Sequence, residues 1–264
     1  EQFKLPVPEH KSMQTEDTGS KVIVEENGFL KVNTETAEFS FDIKNGFLSS
    51  IVSGGNELLE DGLIFNFWRA PIENDFGNKM PERCKVWRYV AKNAELKNFQ
   101  HEQNSDGYYV VEADYWLPDV EANYHIDYFI SGQGTVKVNA ELKPAGKDNP
   151  ELPRFGMSLV LKKDYTNARW FGRGPYENYT DRNASALVGL YKSTVSDLYF
   201  PYVVPQENGY RTGSRWLSLT NNEEAGLMVK GDPHFGFSAL HYSNENLTRE
   251  ERDGYHTTDL VKRP

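Results

Sequence analysis

Cysteine is almost absent from this sequence of 264 residues, which contains Cys84 and no other thiol. One thiol cannot form an internal disulfide, and it cannot supply the paired sulfur ligands of a CxxC metal site. None of the six histidines lies at a spacing that zinc sites use, such as HExxH. They are His10, His101, His125, His234, His241 and His256. The sequence therefore predicts a fold stabilised by packing, with no metal site in this chain.

Long apolar runs and an excess of positive charge are also missing. No run of about 18 apolar residues is present, so no transmembrane helix is predicted. Lys and Arg total 29 against 39 Asp and Glu, which gives a net charge of -10 at pH 7. Nucleic-acid binding requires clustered Lys and Arg that displace counterions from the phosphates. We therefore expect neither a membrane nor a nucleic acid among the partners.

Several catalytic classes are excluded by motifs that do not occur. The sequence has no GxSxG nucleophile elbow and no GxxxxGK[ST] phosphate loop. Gly172 and Gly174 form a GxG pair, but the third glycine of a dinucleotide site and its strand and helix context are missing. Serine-nucleophile, phosphoryl-transfer and hydride-transfer chemistry are therefore not expected.

Aromatic residues, in contrast, are abundant, at 13% of the sequence. They favour the pleated surface of β-strands. Many short segments also alternate apolar and polar residues with the period of two that strands require. The predicted strands are residues 21–24, 29–32, 38–43, 47–52, 108–116, 124–130, 135–142, 156–161, 216–219, 226–230 and 236–242.

These strands follow one another without helical periods, which predicts an all-β fold, a large antiparallel β-sandwich. Residues 1–20 are polar and contain two prolines, so they are interpreted as a linker before the main domain, residues 21–264. Residues 67–90 and 172–213 do not fit the strand pattern. Both are long and combine Pro, Gly, Asn and charge with many aromatics, a composition typical of loops that carry function.

The first candidate segment, residues 66–77, ends a predicted strand and places two acids between Pro71 and Gly77. Arg69 could pair with Glu73 or with Asp75. Such a turn could brace a pocket, with Gly77 permitting a mobile loop over residues 78–84. It could equally be a buried ion pair that only fixes the turn, and the residues alone favour this structural role.

The second candidate segment, residues 170–182, contains Glu177 and Asp181 near Arg173 and Arg182. Two carboxylates are typical of glycosidases, which need an acid and a base or nucleophile about 5 to 9 Å apart across the sugar. Spacing within a loop cannot establish that distance. The favoured interpretation is a loop held by pairs of arginine and carboxylate.

The third candidate segment, residues 199–213, contains aromatic rings, two prolines and the triplet Glu207, Asn208 and Gly209. Rigid aromatic platforms with hydrogen-bonding tips bind sugars. A proline-stiffened connection that caps the core would have the same composition. Both interpretations stay open.

Taken in order, the three segments resemble a known family. Residues 67–77 read FWRAPIENDFG and are similar to a RAPxDND-G stretch, residues 170–182 read WFGRGPYENYTDR and are similar to GP-ENY-DR, and residues 201–216 read PYVVPQENGYRTGSRW and are similar to P-ENG-R-x-R. These stretches occur in the small-chain, C-terminal domain of large β-galactosidases of glycoside hydrolase family 2. The resemblance runs along nearly the whole chain.

The resemblance implies a galactose-mutarotase-like supersandwich. It also implies that the two catalytic glutamates lie on a separate TIM barrel, so this segment holds no catalytic residue. It places Arg69, Asn74, Asp75 and Gly77 in or beside the sugar pocket, although Glu73 stands where the family often has Asp. Further residues that resemble the family's sugar-contact or structural motifs are Glu177, Asn178, Asp181, Glu207, Asn208 and Arg211.

The resemblance further implies a longer polypeptide, called the parent below, that hydrolyses terminal β-galactosides. Its partners for this chain would be a TIM barrel, immunoglobulin-like domains and the galactoside. The first residues are similar to the last strand of the preceding immunoglobulin-like domain, and residues 256–264 are similar to the lead-in to a Trp-containing pocket segment. The resemblance is compatible with a homo-oligomeric parent and with Mg and Na bound outside this segment. The compartment, cytoplasmic or periplasmic, stays open.

Two other functions compete with this one. An autonomous carbohydrate-binding module could use Tyr202, Tyr210 or Trp216 as stacking surfaces, and a structural domain could serve as an oligomerisation scaffold. Sugar binding by the chain and its mass in solution distinguish these alternatives.

Overall fold

The computed structural model describes Gln2, Asp17, residues 19–146 and residues 148–249. The elements within these residues are mostly β-strands, all paired in antiparallel fashion. The strands are β1 (Val22–Glu26), β2 (Phe29–Asn33), β3 (Ala37–Asp42), β4 (Leu48–Ser53), β5 (Asn56–Glu57), β6 (Leu59–Asn66), β7 (Glu95–Gln103), β8 (Tyr109–Leu117), β9 (Ala122–Ile130), β10 (Val136–Pro144), β11 (Gly156–Leu161), β12 (Asn167–Gly174), β13 (Leu187–Thr194), β14 (Arg211–Thr220) and β15 (Gly226–Phe237).

The helices are short. They are α1 (Glu73–Gly77), α2 (Met80–Arg83), α3 (Val90–Asn93), α4 (Val195–Leu198), α5 (Asn244–Leu247) and a 3₁₀ helix at Lys85–Trp87. In the part of the chain that the structure describes, no helix has the length and apolarity that a membrane span requires.

The chain divides into two compact units, each assembled from separate stretches of sequence. Within the described residues, the first comprises Gln2, Arg69–Glu82 and residues 163–249, and the second comprises Asp17, residues 19–68, 83–146 and 148–162.

The second unit is a sandwich of two sheets. One sheet has the order β1-β2-β3-β4-β6-β11, with β5 beside β4, and the other has the order β10-β9-β8-β7. Aromatic rings from the two sheets meet in the interior. The ring centroids of Phe65 and Tyr124 are 4.4 Å apart, and those of Phe41 and Tyr128 are 5.0 Å apart.

Strands β8 and β9 show why this sequence forms a half-buried sheet. Alternate residues of both strands are buried, and Tyr115 lies directly opposite Tyr124 across the strand pair. Because successive side chains of a strand point to opposite faces, a period of two places one set in the core and the other towards water. Each large apolar side chain buried in this way contributes about 1.5–3 kcal/mol.

The outer face of the same strand pair carries a histidine between two carboxylates. His125 Nδ1 is 2.6 Å from Asp114 Oδ1, and His125 Nε2 is 2.6 Å from Asp127 Oδ1. Partial burial by itself would lower the pKa of His125, but the hydrogen bond that it donates to Asp114 and the charges of both aspartates raise it above its ordinary value.

The first unit is built on a single sheet with the order β13-β12-β14-β15. Trp170 of β12, Leu217 of β14 and Phe237 of β15 are buried together with Val195 and Leu198 of α4. At Gly172, a Cβ atom would lie 2.7 Å from the Cα of Ser214 on the neighbouring strand. Glycine is therefore required there by the close approach of the two backbones.

The predicted all-β fold with antiparallel sandwich packing is confirmed. The loop interpretation of residues 172–213 was partly wrong, because this stretch contains β13, α4 and the beginning of β14. Residues 238–242 were predicted as strand, but β15 ends at Phe237. Apart from Gln2, Asp17, Gly19 and Ser20, the proposed linker lies outside the described residues, as do residues 256–264. The linker, the main-domain boundaries and the mutarotase-like relationship stay predictions.

The raised pKa of His125 predicts that its contribution to stability depends on pH. A histidine with a raised folded-state pKa contributes its full stabilisation below its unfolded pKa of 6.5, and it loses that stabilisation as the pH rises through the folded value. His125→Gln should therefore lower the melting temperature more at about pH 5.5 than at about pH 8.5. His241→Gln is the matched control, since His241 contacts the neutral hydroxyl of Ser196. An equal loss at both pH values would contradict the prediction.

Candidate functional site

All ten site residues that the sequence predicts lie in the first unit. They form two groups. The first is the turn into α1, with Arg69, Asn74, Asp75 and Gly77. The second joins the end of β12 to the beginning of β14, with Glu177, Asn178, Asp181, Glu207, Asn208 and Arg211.

The turn into α1 is closed by one aspartate. Arg69 Nη1 donates to Asp75 Oδ2 at 2.5 Å, and Arg69 Nη2 donates to Asp75 Oδ1 at 2.9 Å. The backbone N–H of Ile72 also donates to Asp75 Oδ2, at 2.8 Å. A forked pair of this kind fixes both distance and orientation. Of the two partners that the sequence left open for Arg69, the structure selects Asp75.

Electrostatics connect this turn to the second group. Burial by itself would lower the pKa of Arg69, but the hydrogen bond and charge of Asp75 raise it, and the charges of Glu207 and Tyr179 add to the rise. Burial and the charges of Glu177 and Glu207 likewise raise the pKa of Tyr179. The Arg69 guanidinium therefore lies within the electrostatic range of Glu207 in the second group.

Asn74 and Gly77 are on the exposed side of α1. The backbone N–H of Asn78 donates to the carbonyl of Asn74, which ends the helix. A Cβ atom added at Gly77 would meet nothing within 4 Å, so local packing does not require glycine there. The residue with a left-handed backbone is Lys79, with φ of 60°.

Glu177 is the centre of the second group, and its carboxylate is almost completely buried. Its Oε1 accepts hydrogen bonds from Arg182 Nη2, at 2.8 Å, and from the hydroxyl of Tyr202. Its Oε2 accepts from the backbone N–H of Gly209 at 2.8 Å. Burial and the bond to Glu177 raise the pKa of Tyr202 to about 12, so this hydroxyl keeps its proton. The predicted pairing of arginine and carboxylate in this loop is confirmed.

The side-chain amides of Asn178 and Asn208 form hydrogen bonds with neighbouring segments of the chain. Asn178 Oδ1 accepts from the backbone N–H of Thr212 at 3.0 Å and from its hydroxyl at 2.6 Å. Asn208 Oδ1 accepts from the N–H of Phe200 at 2.9 Å, and Asn208 Nδ2 donates to the carbonyl of the same residue at 2.6 Å. Asn178 thereby satisfies the backbone N–H of Thr212 near the beginning of β14, and Asn208 satisfies both backbone groups of Phe200 in the preceding loop.

Arg211 is buried under the same loops. Its guanidinium donates to the carbonyls of Gly209, at 2.6 Å, and Pro175, at 3.1 Å from Nη2, and it lies 5.2 Å from the ring centre of Trp170. Burial lowers the pKa of Arg211 to about 10, although the charge of Glu177 opposes this shift. Glu207 is also buried, whereas Asp181 is exposed.

Sequence reasoning missed the roles of Tyr202, Gly209 and Thr212 as partners of the motif residues. The sequence leaves Tyr202 open as a sugar-stacking ring, but its hydroxyl binds Glu177 and its ring centre is 4.6 Å from that of Phe200. Tyr210 stacks on Tyr179 at 5.8 Å. Within the described residues, no cluster of three or more His, Cys, Asp or Glu is arranged to hold a metal ion. The expected absence of a metal in this segment stays a prediction.

The three hydrogen bonds to Glu177 predict that its charge is important for stability. Glu177→Gln replaces one acceptor oxygen by an amide donor that faces other donors, and it should lower the free energy of unfolding by about 2–4 kcal/mol. Urea denaturation measures this change. Glu223→Gln, on an exposed turn, is the control and should change stability by less than about 0.5 kcal/mol. Equal stability of the two variants would contradict the prediction.

A family model described as "Beta galactosidase small chain" matches residues 33–264. Among similar proteins, a β-galactosidase of Priestia megaterium (strain DSM 319 / IMG 1521) is 34% identical over 203 residues, which cover 77% of this chain and 19% of that protein. A β-galactosidase of Vibrio cholerae serotype O1 is 32% identical over 243 residues, covering 88% of this chain and 23% of that protein. A third, from Pseudoalteromonas haloplanktis, is 28% identical and covers 99% of this chain and 26% of that protein.

This chain thus spans between 19% and 26% of the length of these three relatives. The family match includes all three motif segments, and in the structure side chains of the second and third segments are joined by hydrogen bonds. The chain therefore belongs to the family of β-galactosidase small chains.

Proposed function

We propose that this chain is part of an enzyme that hydrolyses terminal β-D-galactosides, and that it forms a wall of the sugar pocket without supplying a catalytic carboxylate. The observation that carries the proposal is the hydrogen bonding of two motif carboxylates. Asp75 binds Arg69 and the N–H of Ile72, and Glu177 binds three donors. Groups that are saturated by fixed donors hold loops in place.

This use of the carboxylates differs from what a retaining glycosidase needs at its reacting centre. There, two carboxyl groups stand about 5–5.5 Å apart, one as nucleophile and the other as acid and base. A catalytic carboxyl group must be open to the reacting atoms, whereas both oxygens of Glu177 are occupied by donors of this chain. We infer that both catalytic glutamates lie in the parent outside this chain.

The part of the site that can face a sugar is the exposed side of α1. Asn74 offers amide donors and acceptors there, and Gly77 leaves room for a close neighbour. The pair of Arg69 and Asp75 fixes the buried side of the helix, which restricts the position of Asn74 on its exposed side. Glu177, Asn178, Glu207, Asn208 and Arg211 support that wall from inside the unit, and Asp181 lies at its surface.

The remaining parts of the proposal concern the parent. The chain would associate with a TIM barrel and immunoglobulin-like domains of the same polypeptide, and the parent would bind any Mg and Na through residues outside this chain. A homo-oligomeric parent is consistent with this arrangement. The length of the relatives supports further domains, because each is about four to five times as long as the stretch that this chain matches.

The alternative of an autonomous carbohydrate-binding module is weakened by two contacts. The hydroxyl of Tyr202 binds Glu177 and its ring packs on Phe200, and the ring of Tyr210 stacks on Tyr179. Trp216 is partly exposed, as are the two tyrosines. Calorimetry with galactose and lactose tests this alternative directly. Saturable binding by the chain at micromolar concentrations would favour the module over a pocket wall.

The proposed function predicts a division of activity between the chain and the parent. The purified chain should not hydrolyse nitrophenyl β-galactoside, whereas the parent should. Asp75→Asn in the parent should lower kcat/KM by about tenfold, mainly through KM, because a displaced wall weakens sugar binding without touching the reacting atoms.

Asp197→Asn is the matched control for this experiment. Asp197 accepts a hydrogen bond from the hydroxyl of Thr194 at α4 of the same unit, and its substitution should leave the kinetics of the parent unchanged. Turnover by the isolated chain that is abolished by Glu177→Gln or Glu207→Gln would overturn the assignment of a non-catalytic wall.

A further inference from the structure

Arg249 is a buried cation that reaches α1 from the far end of the described chain. It follows α5, and its side chain is 1% exposed. Its Nη2 forms an ion pair with Glu73 Oε1, and its guanidinium carbon lies 4.6 Å from the ring centre of Phe76. Glu73 and Phe76 are three residues apart and share one face of α1. The guanidinium of Arg249 therefore contacts two side chains of the same helix.

Helix α1 needs such external contacts because it has only five residues. A helix of this length does not persist by itself, since the cost of forming the first turn is not recovered by further hydrogen bonds. Asp75 fixes one side of the helix through Arg69 and Ile72. Arg249 holds the face that carries Glu73 and Phe76, across 176 positions of sequence between Glu73 and Arg249.

The side chains of Glu73 and Arg249 differ greatly in burial. The side chain of Glu73 is 48% exposed, whereas that of Arg249 is 1% exposed. The glutamate thus comes in from the solvent side to meet a cation that is already desolvated. An aspartate at position 73 would hold its carboxylate roughly 1.5 Å farther back along the side chain. The extra methylene of Glu73 is what lets α1 reach Arg249.

We propose that Arg249 is a positioning residue of the sugar pocket, which fixes α1 through Glu73 and Phe76 so that Asn74 and the segment after Gly77 start from one defined place. This inference rests on the proposed function, in which the exposed side of α1 faces the galactoside. Arg249 touches neither the sugar nor the reacting atoms in this scheme. It acts by holding the face of the helix that carries Glu73 and Phe76, whereas the pair of Arg69 and Asp75 holds another face.

The first test measures the contact itself in the purified chain by hydrogen exchange. Arg249→Lys keeps the charge but loses the planar fork, and Glu73→Gln keeps the length but loses the charge. Each should speed exchange of the backbone amides of residues 75–78 at least tenfold. The double variant should exchange no faster than about twice the single variants, because both remove the same contact. The amides of β12 and β14 should be unaffected.

Lys162→Gln is the control, since Lys162 pairs with Glu60 in the other unit and should leave exchange in α1 unchanged. Unchanged exchange of residues 75–78 in both Arg249→Lys and Glu73→Gln would overturn the inference, whatever the activity of the parent. The two conservative variants are chosen because removal of the whole Arg249 side chain would leave a cavity.

The second test measures galactoside kinetics in the parent. Arg249→Lys and Glu73→Gln should each raise KM for nitrophenyl β-galactoside about five- to tenfold and leave kcat within about twofold, a split that general destabilisation does not produce. Faster exchange in α1 with unchanged KM would overturn the pocket role of Arg249 while leaving the proposed function intact. A parent without galactosidase turnover would overturn the proposed function, and the pocket role of Arg249 with it.

Discussion

The hydrogen bonding of the Glu177 carboxylate is the constraint on which the first unit depends. A carboxylate that is withdrawn from water must recover its lost solvation from donors. Glu177 does so with donors from three places in the chain, Arg182, Tyr202 and the backbone of Gly209. These donors bring together the loop after β12, the aromatic segment before β14 and the turn that leads into β14. The loops have few sheet contacts, so this one charge determines much of their arrangement.

The same principle explains why motifs rich in acids do not form a reacting centre within this chain. Asp75 closes the turn into α1, and its ion pair with Arg69 lies within the electrostatic reach of Glu207. The buried carboxylates of Asp75 and Glu177 are each held by fixed donors, which makes their surroundings rigid. Rigidity of this kind suits a wall that must present Asn74 in one position, and it does not suit a group that must gain and lose a proton.

Local patterns predicted the elements of the second unit well, because both of its sheets bury one face and expose the other. Strands β2, β8, β9 and β10 follow the alternation closely, whereas β3 buries three consecutive residues and β4 buries every third one. Strand β7 was missed, since it is an edge strand with a register shift between Leu96 and Asn98 that breaks the period of two. Strands β12 and β13 were missed because their glycines mimic loop composition, although Gly172 is needed for the close approach to Ser214.

The sequence by itself determined the all-β class, the three motif segments and the expectation that arginines and carboxylates would pair within the first two of them. Only the tertiary structure decided which atoms pair. It selected Asp75 for Arg69, and it joined Glu177 to Tyr202 and Gly209, 25 and 32 positions away, and Glu73 to Arg249, 176 positions away. The physical reason is that a strand or a turn depends on neighbours in sequence. The partner of a buried charge depends instead on distance in space and on loss of water. Neither can be inferred from how far apart two residues are in the sequence.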